Sequence, residues 1–194
     1  TRTNQGNTMQ KIIILGAGTF AVEVTDLIED IGGFEVVGYC VDREGPIMVR
    51  RGLMLSPAEL VEYVGSAKVI GAMVSTERMS FINLVLAMGF EPTTIIHPSA
   101  SVAKSAVILP GSIISRQVAI GAYAGIGSHV VVNRGALIGH HTSIGPFSTI
   151  GPGANIAGQC RIGGKVTIGM GVNIVEKLII PDDTRIKAGS LVIS

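Results

Sequence analysis

Residues 114–144 read ISRQVAIGAYAGIGSHVVVNRGALIGHHTSI, and this stretch decides the fold. Every sixth residue in it is Ile or Val, and the pattern continues without a break in both directions. A second series, four residues after each aliphatic, consists almost entirely of small or modest side chains. Self-similarity at a short fixed period is typical of solenoid proteins, in which each repeat packs on the next. The seventeen aliphatic positions are Ile96, Val102, Ile108, Ile114, Ile120, Ile126, Val132, Ile138, Ile144, Ile150, Ile156, Ile162, Ile168, Ile174, Ile180, Ile186 and Val192.

Each hexad predicts one short strand followed by a tight corner. The β-branched residue points into a prism, where such side chains pack well, and the small residue lies near the corner. Three hexads close a triangular coil of 18 residues, and successive coils stack about 4.8 Å apart. We expect the glycines that directly follow an aliphatic to supply the backbone conformations of the repeated turn. These are Gly121, Gly127, Gly139, Gly145, Gly151, Gly163 and Gly169.

The bulk composition limits the class of protein. At 194 residues there is room for one or two small domains, and a net charge of +1 gives no indication of nucleic-acid or membrane binding. The apolar runs are far shorter than the ~18 residues of a spanning helix. Without a signal-peptide pattern we expect a cytoplasmic protein, and we interpret Thr1–Thr8 as a tag remnant or a disordered leader. Cys160 falls in the inward series, which predicts a buried thiol rather than a disulfide with Cys40.

Charge is distributed unevenly along the chain. Residues 1–91 hold seven basic and eleven acidic residues, whereas residues 92–175 hold five basic residues and no Asp or Glu. A solenoid without carboxylates carries a positive field, which suits phosphate-bearing ligands. The alternative is that short outward turns simply favour Ser, Asn and Gly. The five cations are Lys104, Arg116, Arg134, Arg161 and Lys165.

The residues before the repeat predict a small parallel sheet with flanking helices, because strand and helix patterns alternate there. The helix after Gly18 is stopped by Gly32 and Gly33, and a second helix begins with Ser56 as its N-cap. The predicted strands are residues 11–15, 35–41 and 68–74, and the predicted helices are residues 22–31, 56–64 and 76–88.

The turn Gly16-Ala17-Gly18-Thr19 joins the first predicted strand to the first helix. Backbone amides at such a helix N-terminus can hold a diphosphate, and Asp42 lies at the end of the second strand, where an acid would meet a nucleoside. About 85 residues are too few for a whole dinucleotide-binding fold, so a mononucleotide half-site fits better. The alternative is a glycine turn that only packs helix against strand.

Four histidines are candidates for chemistry. We expect His97, in an Ile-His-Pro junction, to be structural, and His129, in an outward turn, to face solvent. The hexad register places His140 and His141 at a corner and pointing out of the prism, which excludes a core role. The alternative for this pair is a solvated or subunit-contact role. No metal site is expected, because adjacent side chains splay apart and a zinc site needs three protein ligands within reach.

These residues resemble bacterial nucleotide-sugar acetyltransferases of the hexapeptide-repeat, left-handed β-helix class, the PglD- and NeuD-like group, over residues 10–194. The resemblance implies a small Rossmann-like nucleotide-sugar-binding domain at residues 10–94 and a left-handed parallel β-helix acyltransferase domain at residues 95–194. It also implies a homotrimer with active sites between neighbouring subunits. Its carriers are Gly16-Ala17-Gly18, Asp42, Ile96-His97-Pro98-Ser99-Ala100, Asn133, Ile138-Gly139-His140, Ile144-Gly145, Ala157-Gly158 and Ala188-Gly189-Ser190.

The same resemblance assigns roles to individual residues. His140 matches the general base that takes a proton from the sugar amine as the amine attacks the acetyl-CoA thioester, a task suited to an imidazole. The amide of Gly158 matches the donor to the oxyanion. Met170 and Ala188 match positions along the groove for acetyl-CoA, which acts as a cosubstrate.

The nucleotide-sugar site implied by the resemblance is the Gly16–Thr19 turn with Asp42. The chain departs from the family pattern at three places. His141 stands where the family commonly has Asp or Glu, Thr149 stands where it often has His, and Thr19-Phe20 replaces a Gly-His pair.

These departures leave open which group orients the His140 imidazole. With no Asp or Glu from residue 92 to residue 175, we expect a backbone carbonyl, the Asn133 side chain, or a group from the neighbouring subunit or its N-terminal domain. His141 is a weaker second candidate for a catalytic role.

The leading interpretation is an N-acetyltransferase that modifies the amino group of a nucleotide-linked deoxysugar for surface glycans. Two alternatives remain open. One is a sugar O-acyltransferase of the same fold, and the other is a trimeric nucleotide-sugar-binding or scaffold protein without catalysis.

Overall fold

The computed structural model describes residues 9–42 and 47–194. It confirms the predicted fold class, with a small α/β part followed by a parallel β-solenoid. The interpretation of Thr1–Thr8 lies outside the described residues. No helix within the described ranges is long and apolar enough to cross a membrane.

The α/β part is built around a four-stranded parallel sheet. Its elements in chain order are β1 (Gln10–Leu15), α1 (Thr19–Ile31), β2 (Phe34–Cys40), β3 (Leu53–Leu55), a 3₁₀ helix (Glu59–Tyr63), β4 (Lys68–Gly71) and α2 (Arg78–Ala87). The strand order is β3-β2-β1-β4, so β1 is central and its four residues from Ile12 to Leu15 are fully buried. A strand that is buried on both faces has a continuous apolar sequence, and for this reason β1 could be predicted.

Two predictions in this part were wrong in detail. The helix predicted over residues 56–64 is a short 3₁₀ helix, Glu59–Tyr63, and β3 was not predicted at all. Ser56 does act near the helix start, since its backbone N–H and its hydroxyl each lie 2.7 Å from Glu59 Oε2. These two hydrogen bonds lower the pKa of the Glu59 carboxyl. The prediction of Ser56 as the N-cap was wrong, because the N-cap residue is Ala58, which makes no side-chain capping bond.

The solenoid consists of seventeen two-residue strands in three parallel sheets of five, six and six strands. Each aliphatic pairs with the one 18 residues later, as in Ile126 with Ile144 and Ile144 with Ile162, so three hexads form one coil as predicted. The strands are β5 (Ile95–Ile96), β6 (Ser101–Val102), β7 (Val107–Ile108), β8 (Ile113–Ile114), β9 (Ala119–Ile120), β10 (Gly125–Ile126), β11 (Val131–Val132), β12 (Leu137–Ile138), β13 (Ser143–Ile144), β14 (Thr149–Ile150), β15 (Asn155–Ile156), β16 (Arg161–Ile162), β17 (Thr167–Ile168), β18 (Asn173–Ile174), β19 (Ile179–Ile180), β20 (Arg185–Ile186) and β21 (Leu191–Val192).

The solenoid core is one continuous cluster of the two predicted inward series. The inward register is confirmed, and only the end coils are open, as the 40 % exposure of Ile96 shows. Cys160 is fully buried and not in a disulfide, as predicted, and its Sγ lies 3.2 Å from the Val175 carbonyl oxygen. Cys40 is also buried and free, and burial raises the pKa of its thiol to about 11. The Cys40 thiol is therefore not reactive near neutral pH.

The expected role of the corner glycines was wrong. At the fourteen corners from Gly111 to Gly189, the left-handed residue is the third after the aliphatic, not the first, and nine of these residues are not glycine. Gly139 and Gly145, which directly follow an aliphatic, have no positive φ. A Cβ on Gly139 would stand 2.5 Å from the Ala157 backbone carbon, and one on Gly145 would stand 2.5 Å from the Gly163 backbone carbon. These glycines let neighbouring coils approach each other closely. The left-handed conformation of the turn is adopted by the third residue after the aliphatic instead.

The α/β part packs on the outer face of the six-stranded sheet that runs from β5 to β20. Ile95, Ile113 and Val131 point outward from this sheet and join the core of the α/β part with Ile12 and Leu27. This packing explains why the outward strand positions of the first coils are apolar. It also fixes which solenoid corners face the α/β part.

Candidate functional site

His140 lies at the corner between β12 and β13, where its imidazole is exposed. The side chain extends along the stack of coils to Gly158, the equivalent position 18 residues later. A Cβ at position 158 would lie 2.7 Å from His140 Nε2, so a glycine is needed where the ring lies. The imidazole therefore lies over this glycine, and Nε2, the ring nitrogen that a general base would use, is its nearest atom.

The backbone around Gly158 leaves one donor free. The Gln159 N–H donates to the His140 carbonyl at 2.8 Å, and the Gly158 carbonyl accepts from the Lys177 N–H at 3.0 Å. Within the part of the chain that the structure describes, the Gly158 N–H finds no protein acceptor. A free amide on the residue that faces an exposed imidazole can donate to a developing oxyanion.

The group that contacts His140 is His141, which was not among the expected orienting groups. The Nδ1 atoms of the two rings are 3.0 Å apart and the ring planes are at 87°. His141 is one of the left-handed corner residues, with φ 58°, and its ring lies 5.0 Å from that of Tyr123 in the preceding coil. The expectation of a carbonyl or Asn133 as the partner within the chain was therefore wrong.

Asn133 lies at a different corner, between β11 and β12. Its side chain is 7 % exposed, and its Oδ1 accepts from the Arg134 N–H at 2.8 Å. It lines a small cleft that also includes Glu23 and Arg116. No hydrogen bond joins Asn133 to His140 among the described residues, so one chain does not bring these two together.

Met170 and Ala188 occupy equivalent positions in successive coils, as the hydrogen bond from the Gly189 N–H to the Met170 carbonyl at 2.8 Å shows. Met170 is 61 % exposed. Both residues follow strands of the six-stranded sheet that starts at β5, whereas His140 follows a strand of another sheet. The structure thus stacks these two residues on one corner and His140 with Gly158 on another.

The glycine turn lies at the carboxyl edge of the parallel sheet, between β1 and α1. Gly16 has φ 120°, and a Cβ there would stand 2.9 Å from the Ala72 carbonyl oxygen, so this position needs glycine. Gly18 is the N-cap residue of α1, Thr19 is exposed, and the Ala17 carbonyl accepts from the Met48 N–H at 2.8 Å.

Asp42 lies two residues beyond β2, at the same edge of the sheet as the glycine turn. A cavity of about 250 Å³ lies beside α1, with Thr25, Tyr39, Met48 and Arg50 in its lining, and its lining includes neither the Gly16–Thr19 turn nor Asp42. Ligands of open α/β sheets bind outside the carboxyl ends of the strands. Both the glycine turn and Asp42 lie at this edge of the sheet.

Thr149 is buried by the α/β part. It is 6 % exposed, its hydroxyl donates to the Val74 carbonyl at 2.9 Å, and it accepts from Arg78 Nη1 at 3.0 Å. A side chain held by two partners in this way is not available to a sugar at the solenoid surface.

Arg78 is a structural residue that the sequence analysis missed. It begins α2, is 2 % exposed, and donates to three solenoid carbonyls. They belong to His129, Phe147 and Ser148, at 2.9, 2.9 and 3.0 Å. Burial lowers the pKa of this guanidinium to about 10. An Arg at a helix start normally faces solvent, so no sequence signal distinguished it.

The prediction that His129 faces solvent was wrong. The residue is 7 % exposed and its ring stacks on Phe147 with centroids 4.9 Å apart. Its Nδ1 is buried without a hydrogen-bond partner among the described residues. Burial, and next the charge of Arg78, lower the pKa of this imidazole. His129 is buried because its corner turns toward the α/β part.

Acids of α1 meet cations of the solenoid at the junction. Asp30 binds Arg116, with Nε to Oδ2 at 3.1 Å, and His97, with Nε2 to Oδ2 at 3.1 Å. Hydrogen bonds from Arg116 and then His97 lower the pKa of the Asp30 carboxyl. His97 thus has the structural role expected from the sequence.

Two further ion pairs bear on the predicted positive field of the solenoid. Arg134 binds Glu23 of α1 at 3.1 Å, and Lys165 binds Asp183 at 2.8 Å. With Arg116, three of the five cations are therefore paired with carboxylates, and the field is weaker than the sequence suggested. Among the described residues, no three His, Cys, Asp or Glu side chains form a group that could hold a metal ion.

Comparison with known proteins agrees with this architecture. Residues 11–89 match the family model of the PglD N-terminal domain. No curated protein sequence matches the chain.

Three solved structures illustrate the similarity of the whole chain. The acetyltransferase domain of PglB from Neisseria gonorrhoeae is 25% identical, with a TM-score of 0.86 over 95% of this chain and 91% of that one. The same domain in complex with acetyl coenzyme A is 24% identical, with a TM-score of 0.83 over 95% and 93%. A mutant of perosamine N-acetyltransferase from Caulobacter crescentus, in complex with CoA and GDP-perosamine, is 24% identical, with a TM-score of 0.86 over 94% and 88%. Residues 11–89 therefore match the PglD N-terminal domain, and the whole chain has the same fold as these solved acetyltransferase structures.

Proposed function

We propose that this protein is an acetyl-CoA-dependent N-acetyltransferase acting on the amino group of a nucleotide-linked deoxysugar. The observation that carries the proposal is the pairing of an exposed imidazole, His140, with the free amide of Gly158. Base and oxyanion donor are the two groups that acyl transfer to an amine needs. The relatives solved with CoA, with acetyl coenzyme A and with GDP-perosamine support both substrates.

In the proposed reaction, His140 Nε2 takes a proton from the sugar amine as the amine nitrogen forms a bond to the thioester carbonyl carbon. The Gly158 N–H donates to the oxyanion of the resulting tetrahedral intermediate. As the carbon–sulfur bond breaks, His140 returns its proton to the leaving sulfur. The products are the N-acetylated sugar nucleotide and CoA with a free thiol. Met170 and Ala188 line the groove for the pantetheine arm.

We propose that the two parts of the chain have separate functions. Residues 10–94 bind the nucleotide sugar through the Gly16–Thr19 turn and Asp42, and residues 95–194 carry out acyl transfer. The division between residues 94 and 95 is part of this proposal. A cytoplasmic location, a role in surface-glycan biosynthesis, and the expected absence of metal, nucleic-acid and membrane partners remain predictions.

The separation of the site residues in one chain supports a homotrimer. Met170 and Ala188 lie on one corner of the prism, whereas His140 and Gly158 lie on another. A threefold assembly would bring the first corner of one subunit beside the second corner of its neighbour, which completes the groove. Light scattering at micromolar concentration should give three times the chain mass, and a monomer would contradict this assembly.

The proposal is tested with a panel of sugar nucleotides in which one ring position carries an amine, a hydroxyl or hydrogen. Release of the CoA thiol is followed with each compound, together with the mass of the product. Transfer to amines supports the proposal.

The two other outcomes of this panel would overturn the proposal. Transfer to hydroxyls alone would favour a sugar O-acyltransferase, which the departures at His141 and Thr149 keep as the second candidate. Binding of sugar nucleotides without any transfer would indicate a non-catalytic binding protein.

A further inference from the structure

The contact between His140 and His141 joins two identical chemical groups. A hydrogen bond between their Nδ1 atoms, 3.0 Å apart, needs a proton on one atom and a lone pair on the other. A carboxylate only accepts hydrogen bonds, so a carboxylate partner would fix the direction of this bond. An imidazole partner can either donate or accept, so the direction depends on its protonation.

Only one of the two directions leaves His140 competent as a base. If His140 Nδ1 carries the proton and His141 Nδ1 accepts, His140 Nε2 keeps its lone pair and can take a proton from an amine. If His141 donates instead, His140 must carry its proton on Nε2 and cannot accept one from an amine. Protonated His141 has no lone pair and can only donate.

We infer that His141 is the positioning residue of the site, holding His140 in the productive tautomer by accepting its Nδ1 proton, and that protonation of either ring switches the base off. This inference rests on the proposed function. His141 is itself held in place by its left-handed backbone and by the ring of Tyr123, 5.0 Å away. The His140–His141 pair differs from a pair of His140 with a carboxylate. Because both rings can take up a proton, two protons rather than one contribute to the loss of activity in acid.

The surroundings of the pair hold few competing charges. The preceding coil places Ala122 and Tyr123 below the pair, and Tyr123 is 66 % exposed. The next coil places Gly158 and Gln159, which do not titrate, above it. One coil further on, the corner carries Glu176 and Lys177, whose charged groups bind each other at 3.2 Å.

The test is the pH dependence of acetyl transfer in three proteins. At acid pH, the slope of log(kcat/KM) against pH should be greater by about one in the wild type than in His141→Asp. The variant has lost one of the two imidazoles that take up a proton. His141→Asp should keep the plateau kcat, since its carboxylate accepts the same proton. His141→Gly should lower the plateau kcat by about 10–10²-fold, through loss of orientation.

Gln117→Gly is the matched control for His141→Gly. Gln117 has the same φ of 58° at a corner that does not touch the pair. It should retain the wild-type rate and pH profile. A slope in His141→Asp equal to that of the wild type, or an unchanged plateau in His141→Gly, would overturn the inference.

A second readout does not depend on activity. Nitrogen-15 NMR of the labelled imidazoles at pH 8 should show His140 with its proton on Nδ1 in the wild type, with the signals assigned from a His140→Asn spectrum. In His141→Gly this single tautomer should be lost. A His140 ring with its proton on Nε2 in the wild type would overturn the inference. Failure of acetyl transfer with every sugar nucleotide, beside the expected NMR result, would refute the proposed function alone.

Discussion

The imidazole of His140 lies against the α-carbon of Gly158, so that a methyl group at position 158 would stand 2.7 Å from Nε2 and 2.8 Å from Cε1. We therefore predict that Gly158→Ala displaces the ring and lowers kcat by about 10²-fold, the size of effect expected from a misplacement of about 1 Å. The ring is exposed and can rotate away, so the melting temperature should change little. The measurement is kcat together with thermal unfolding.

Gly125→Ala is the control for that prediction, because a Cβ at position 125 would have no neighbour within 4 Å. It should leave both kcat and the melting temperature unchanged. If Gly158→Ala kept the full rate, His140 would not need its present position for catalysis.

The two kinds of corner glycine should respond differently to substitution. Gly145→Ala would place a Cβ 2.5 Å from backbone atoms of the next coil, and overpacking against rigid backbone costs about 1–3 kcal/mol or more. Gly153 has φ 63° and open space around it. Gly153→Asn should cost less than about 1 kcal/mol, since Asn tolerates left-handed backbone. Urea unfolding of the two variants tests this order, and equal losses would refute the close-approach explanation.

Arg78 should hold the α/β part on the solenoid. Arg78→Met removes its hydrogen bonds and leaves buried carbonyls unpaired, which we expect to cost about 3 kcal/mol of the free energy of unfolding. Arg134→Met is the control, because Arg134 also bridges the two parts but its side chain is 58 % exposed and binds a carboxylate. An exposed pair of this kind contributes about 0–1 kcal/mol. The free energy of unfolding of both variants is measured in denaturant. Similar losses would mean that the burial of Arg78 does not make its contacts more stabilising than those of Arg134.

His129 should make the junction sensitive to acid. The pKa of its imidazole is lowered in the folded protein, whereas the unfolded chain takes up the proton near pH 6.5. Below about pH 6.5 the unfolded state therefore binds more protons, and the free energy of unfolding falls as the pH falls toward the folded pKa.

The measurement for His129 is the melting temperature between pH 8 and pH 5. His129→Asn suits its left-handed backbone and should show a smaller decrease over this range than the wild type. Parallel curves for the two proteins would show that the buried imidazole does not contribute.

Most of the solenoid could be predicted from the sequence, because every hexad has the same arrangement of aliphatic and small residues. The pairing of Ile126 with Ile144 follows from the period of six together with a triangular coil, because three hexads make 18 residues. The role of Gly139 could not be derived in this way. Turn geometry and close approach both favour glycine, and only the coordinates tell them apart.

The site was predicted where the resemblance supplied residues, and it was missed where folding brought distant segments together. His140 and Gly158 are in contact because they are one coil apart, and the hexad repeat predicts that spacing. Arg78 and His129 meet across the domain junction, and no local pattern in the sequence reports such a contact. The partner of His140 was missed because adjacent side chains were expected to splay, whereas the left-handed backbone of His141 turns its ring toward His140.

The most direct test of the central claim is the kcat of His140→Ala with the best sugar nucleotide that carries an amine. We predict a decrease of about 10²–10⁴-fold, the usual contribution of a general base, with acetyl-CoA affinity unchanged. An unchanged kcat in His140→Ala would contradict the assignment of this residue as the base, and with it the account of the site.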